Sequence, residues 1–163
     1  NLEDADEPEA PLLDLELQVE RLRAAREAAQ AAGVPIVINA RTDVFLAGIG
    51  TPESRFDHAV RRLNAYRRAG ADCLFCPLVE DSATIERLVR ELEGPLNVLA
   101  RGSAPSVPEL ERMGVRRVSL GAGLMRAALG AVHRVAAEMA GPGTYDALRG
   151  LLWREDVNRF FVR

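Results

Sequence analysis

The feature that most restricts how this chain can fold is a repeated pairing of a short apolar run with a longer amphipathic segment. Pro35-Ile36-Val37-Ile38-Asn39, residues 72–76, 96–100 and 116–120 each read as a short buried strand. Between and after them lie helical patterns. One runs over 13–32 and stops at Gly33. A second covers 52–69, with Thr51 as N-cap, Pro52 at the first helical position and Gly70 as stop. A third runs over 81–92 before Gly94. A short one follows Ser106, which has capping-box spacing to Glu109, and ends at Met113-Gly114. The last is long, from Gly121-Ala122-Gly123 to Ala140, with Leu124, Ala128, Val132, Val135 and Met139 on one stripe. Beyond Gly141-Pro142-Gly143, residues 144–150 and 154–161 read as shorter helical pieces, and Asn1-Leu2-Glu3 as the end of a further strand. Such alternation predicts an α/β fold, with a parallel sheet and helices outside it. A whole (β/α)₈ barrel needs about 250 residues. At roughly 30 residues per unit, the 163 residues here hold about five units. Two architectures stay open: a doubly wound open sheet, or the later part of a barrel.

Composition narrows the partners. The net charge of −3 gives no basic surface, which argues against nucleic acid and anionic membrane. Every one of the 21 basic residues is arginine, so a Schiff-base lysine and the lysine of a phosphate-binding loop are excluded. No apolar run approaches ~18 residues, so no transmembrane helix is expected. The acidic start lacks the basic region of a signal peptide, and with no initial methionine the chain is expected to be a fragment. Cys73 and Cys76 have C-x-x-C spacing, but a strand sends residues three apart to opposite faces, against a redox or metal pair. With only His58 and His133 as further candidate ligands, both on helices, no zinc site is expected. A reducing, cytoplasmic location fits. No strand is followed by G-x-G-x-x-G, and Gly121-Ala122-Gly123 is too short for a dinucleotide site.

In both architectures chemistry sits at the carboxyl ends of the strands. Arg41 lies there, as a guanidinium that binds a carboxylate or phosphoryl group, or one that pairs with Asp43 or Glu3 to hold its loop. Glu3 is either a Mg²⁺ ligand, direct or through water, or a solvated terminal residue. Asn97 points toward substrate or satisfies core hydrogen bonds. Ser103 and Ser106 read as loop and cap residues, and His58 and His133 as surface or packing residues.

Several stretches taken together resemble the isocitrate lyase/phosphoenolpyruvate mutase superfamily, in its phosphoenolpyruvate mutase-like branch, whose members include carboxyvinyl-carboxyphosphonate phosphorylmutase-like proteins. They are Asn1-Leu2-Glu3-Asp4, Ile38-Asn39-Ala40-Arg41-Thr42-Asp43, residues 69–75, Pro95-Leu96-Asn97-Val98-Leu99, residues 110–121 and Gly143-Thr144-Tyr145-Asp146-Ala147-Leu148. The resemblance implies a (β/α)₈ TIM-type barrel of which this chain holds the last five units. Residues 1–140 would form the partial barrel. Residues 141–163 would form a helical extension exchanged between subunits, which implies a homodimer or tetramer. It implies Mg²⁺ in the full-length parent, and a small 2-oxo acid, phosphonate or enolate substrate with C–C or P–C bond chemistry. It makes Glu3 a metal residue, Arg41 catalytic and substrate-binding, and Asn97 and Ser119 substrate-binding. The family's D-x-D metal motif and the segment after its first strand are absent. The stretch 5–13, where lyase members carry a catalytic cysteine, has no cysteine, lysine or histidine. Leu78 stands where the family commonly has glycine, which narrows the mouth. A non-catalytic half-barrel completed by another chain is the rival expectation.

Overall fold

The computed structural model describes residues 1–5 and 11–161. Of the stretch 5–13, residues 6–10 lie outside the described residues. The chain forms two compact units, Asn1–Leu120 and Gly121–Arg163. In the first, β1 (Leu2–Glu3), β2 (Asn39–Arg41), β3 (Cys73–Phe75), β4 (Leu96–Leu99) and β5 (Arg117–Ser119) alternate with α1 (Leu15–Ala31), α2 (Pro52–Arg68), α3 (Ser82–Glu91) and α4 (Val107–Met113). All neighbouring strands pair parallel, in the order β1-β2-β3-β4-β5. A doubly wound sheet reverses its order at a switch point. This sheet winds one way only, as the wall of a (β/α) barrel does.

Register explains how the sheet is used. Glu3 pairs with Arg41, Arg41 with Phe75, Phe75 with Asn97 and Asn97 with Arg117, one row across all five strands. Side chains alternate between faces along a strand, so the adjacent row, Leu2, Ala40, Leu74 and Leu96, lies on the other face. That second row joins the core with Leu22 of α1, Leu63 and Tyr66 of α2, Ile85 and Leu88 of α3, and Leu110 of α4. Each fully buried leucine or isoleucine contributes roughly 1.5–3 kcal/mol. The polar row is left on the face away from this core.

Helix starts follow the expected chemistry. Asp14 accepts from the N–H groups of Glu16 and Leu17, Thr51 from Ser54 and Asp81 from Thr84. The Glu109 carboxylate accepts from the Ser106 N–H. At the end of α4, Gly114 has φ 93°, and an added Cβ would meet Val89 at 3.0 Å.

One strand is displaced from expectation. The run 35–39 was expected to form the buried strand, but β2 begins at Asn39, and Val37 is 75% exposed. The backbone before it is held by side chains instead: Arg26 donates to the Ile36 carbonyl at 3.1 Å, and the Ile38 N–H donates to Asp72 at 2.7 Å. Ladder pairing starts only where Asn39 faces Cys73.

The second unit holds α5 (Gly123–Ala140), a single 3-10 turn at Asp146–Leu148 and α6 (Arg154–Arg159). The helix expected over 144–150 is reduced to that turn: the Glu138 carboxylate caps its first N–H groups, of Asp146 and Ala147, at 2.7 and 2.6 Å, and the chain leaves the helical conformation at Arg149, ψ 138°, and Gly150, φ 75°. No helix among the described residues is long and apolar enough to cross a membrane.

Leu74 sits in the middle strand and is completely buried. Leu74→Ala should cost about 2–5 kcal/mol, read as a lower denaturation midpoint with an unchanged slope.

Candidate functional site

The carboxyl end of the polar row collects the ionic groups. Arg41 is the last residue of β2. Its Nε donates to Asp43 Oδ1 at 2.6 Å and its Nη2 to Asp43 Oδ2 at 3.0 Å, a two-point fork. Its Nη1 meets Glu3 Oε1 at 2.8 Å. The guanidinium stands over the Phe75 ring, 5.8 Å from its centroid. Both pairings considered for Arg41, with Asp43 and with Glu3, are therefore present together. A guanidinium has five N–H donors, so these contacts leave two for another acceptor. One cation faces two carboxylates, and Glu3 at 38% side-chain exposure is the accessible one.

The loop that carries Asp43 is anchored from below by Asp4, which the sequence reading did not single out. This carboxylate is fully buried and accepts four hydrogen bonds. They come from Thr42 Oγ1 at 2.7 Å, the Asp43 N–H at 2.9 Å, Arg62 Nε at 2.8 Å and the Tyr66 hydroxyl at 2.7 Å. Arg62 also donates to the Leu13 carbonyl at 2.6 Å. Arg62 and Tyr66, four apart on α2, share a helix face. That spacing was the one available signal; nothing local joins it to Asp4, 58 residues away.

Asn97 and Ser119 come together on adjacent strands. Asn97 is fully buried, and its Nδ2 donates to Ser119 Oγ at 3.2 Å. Its Oδ1 has no hydrogen-bond partner among the described residues. A buried acceptor left unpaired costs about 1–3 kcal/mol, so this atom calls for a donor. Arg41 and Asn97 lie two strands apart in one row, about 10 Å at ordinary strand spacing, with Phe75 between them. Ser103 instead joins Glu80, and Arg101 pairs with the same carboxylate at 3.4 Å. His58 lies on α2, four residues before Arg62, and His133 on α5 of the second unit. Cys73 and Cys76 are both buried and free, and burial pushes both thiols up, away from a reactive thiolate.

The donor set limits what metal this chain can hold. Among the described residues no group of three or more histidine, cysteine or carboxylate side chains could hold an ion. Asp4 is committed to four donors and Asp43 to the Arg41 fork. Of these three carboxylates only that of Glu3 is exposed, so among the described residues this cluster offers one ligand to Mg²⁺, which takes about six oxygens.

Burial, then the Asp4 charge, raises the Tyr66 phenol above its ordinary 10.0. The folded state therefore keeps a proton that the unfolded chain loses near that value. Stability should fall above about pH 10, by up to about 1.4 kcal/mol per pH unit. Tyr66→Phe should remove that slope in alkaline denaturation, at a cost near neutrality of about 1.5–3 kcal/mol. Asp4→Asn, which leaves the buried Arg62 without a counter-charge, should cost about 3–5 kcal/mol.

Comparison with known proteins adds to this geometry. The model of the phosphoenolpyruvate phosphomutase family matches residues 1–140. A solved protein of Burkholderia cenocepacia, provisionally assigned as a lyase/mutase, is 38% identical with a TM-score of 0.85, over 99% of this chain and 58% of its own. A second from that organism, provisionally assigned as a phosphonomutase, is 35% identical with a TM-score of 0.77, over 85% of this chain and 56% of its own. A 2,3-dimethylmalate lyase, described as a member of the phosphoenolpyruvate mutase/isocitrate lyase superfamily, is 30% identical with a TM-score of 0.72, over 98% of this chain and 54% of its own. Among curated proteins no sequence matches the chain. The chain thus spans a little over half the length of these solved relatives. A sheet wound one way, a guanidinium fork at the carboxyl end of β2, and a family match over residues 1–140 agree: the chain belongs to the phosphoenolpyruvate mutase family of enzymes, within the superfamily that includes isocitrate lyase.

Proposed function

We propose that this chain is the later part of a (β/α)₈-barrel enzyme that binds a small 2-oxo acid, phosphonate or enolate and makes or breaks a C–C or P–C bond beside the carbonyl. The observation that carries the reading is the row from Glu3 through Arg41 to Asn97. It sets a forked guanidinium and a buried, unpaired amide oxygen in one row, on either side of Phe75. Arg41 uses its two remaining donors on the substrate carboxylate or the transferred group, and Asp43 and Glu3 fix its plane. Asn97 Oδ1 accepts from a hydroxyl of the substrate or of a bound water, and the Ser119 hydroxyl beside it holds the amide in that orientation. Bound Mg²⁺ would supply Lewis-acid stabilisation of enolate charge, and Glu3 is the residue here that would face it. In the stretch 5–13 no cysteine, lysine or histidine stands ready as an acid, which favours chemistry without a thiol acid there.

The proposal extends to the whole protein. Residues 1–140 contribute barrel units, and 141–163 form an extension exchanged between subunits of a homodimer or tetramer in the cytoplasm. Leu151, Leu152, Trp153, Phe160 and Phe161 are exposed, an apolar set of the kind such an exchange would cover.

The test uses the full-length protein with phosphonopyruvate, oxaloacetate and related 2-oxo acids, with and without Mg²⁺. Arg41→Ala should lower kcat/KM by about 2–4 kcal/mol of transition-state stabilisation, and Arg41→Lys should recover little, since a point charge lacks the planar fork. Unchanged kinetics in the alanine variant would refute the role of Arg41. A folded full-length protein that turns over none of these acids would favour the half-barrel that only binds. By calorimetry, the 163-residue chain alone should bind Mg²⁺ weakly, because among the described residues no group of three or more ligands is assembled and Glu3 is the exposed carboxylate of this cluster.

A further inference from the structure

Among the described residues, Leu78 is the one non-glycine with a positive φ, 65°. It follows Pro77 in the turn that leaves β3. Proline followed by a left-handed residue is the pattern of a type II turn, whose third position favours glycine. An L residue there meets a steric penalty that glycine avoids. Packing does not offset it: Leu78 remains 37% exposed, whereas its neighbours Cys76 and Val79 are buried. A large apolar side chain is therefore held, against its backbone preference and outside the core, at the carboxyl end of the sheet. Strain of this kind marks positions where the side chain has a further task.

The surroundings suggest the task. Leu78 leaves the sheet three residues beyond Phe75, the row partner of Arg41 and Asn97. On the next loop, Arg101 and Ser103 both engage Glu80, two residues after Leu78. Those contacts tie the β3 and β4 loops together and make that rim polar, so Leu78 supplies its exposed apolar surface. Resting on the reading of Arg41 as the carboxylate-binding group, we propose that Leu78 sets substrate choice. It favours a 2-oxo acid with an alkyl branch on the carbon beside the carbonyl over the unbranched homologue.

The experiment compares binding of 3-methyl-2-oxobutanoate and 2-oxobutanoate to the full-length protein in Mg²⁺, by calorimetry, for the parent and for Leu78→Gly and Leu78→Ala. The parent should prefer the branched acid by about tenfold or more, the discrimination that apolar contact provides. Both variants should lose that preference. Leu78→Gly should melt at or above the parent temperature because the turn is relieved, whereas Leu78→Ala keeps the strained φ and gains nothing. Retention of the preference in both variants, or a parent that prefers 2-oxobutanoate, overturns the inference. Unfolding of both variants also overturns it, since the leucine would then be structural. If the parent binds neither acid, the reading of the Arg41 site fails, and this inference with it.

Discussion

A fully buried carboxylate, Asp4, organises the end of the sheet where the charged groups gather. It stands one residue past β1 and receives donors from the loop after β2 and from two positions on α2. An unpaired anion in that position would be intolerable; four donors, one of them a guanidinium, make it a joint. The joint fixes the backbone N–H of Asp43. Asp43 in turn clamps Arg41, so the orientation of the exposed guanidinium face is set two links away from it. The arrangement separates two duties that neighbouring acids might share. Asp4 is spent on structure, and Glu3, next to it but on the other face of the strand, stays open to solvent.

Barrel geometry explains why those duties separate so cleanly. In a parallel sheet with helices on one face, the row that meets the helices must be apolar, and Leu2, Ala40, Leu74 and Leu96 are. The intervening row has no helix to pack against and can hold Glu3, Arg41, Asn97 and Arg117 without burying charge in the core. Phe75, in the centre of that row, lends its ring to the Arg41 guanidinium, a contact worth about 0.5–1 kcal/mol or more. One residue of register slip in any strand would exchange the two rows.

The parts legible in the sequence were those encoded locally. Helix starts at Asp14, Thr51 and Asp81 announce themselves because a cap needs a specific side chain within three residues of an unpaired N–H. The position of β2 is not legible locally, because Ile36 and Val37, in the run 35–39, look like a buried strand by composition yet are exposed. Their exposure follows from Arg26 and Asp72, which hold that backbone outside the ladder and lie 10 and 34 residues away. Arg41 was recognisable as a site residue from its place after an apolar run. Which carboxylate it would meet was not recognisable, and it meets two.

By itself the sequence determined the alternation of strand and helix, and the bounds of the helices α1 to α4 of the first unit to within a few residues. These follow from periodicity, capping and glycine stops, which act over one or two turns of chain. Only the tertiary structure decided that the five strands run in sequence order and thereby set Glu3, Arg41, Phe75, Asn97 and Arg117 in one row. It also decided that Asp4 rather than Glu3 is the buried acid, and that Leu78 takes a left-handed conformation. Strand register, burial and partnership between Asp4 and α2 depend on contacts across tens of residues. Local pattern carries no record of them, because the free energy that selects them arises only when the distant segments meet.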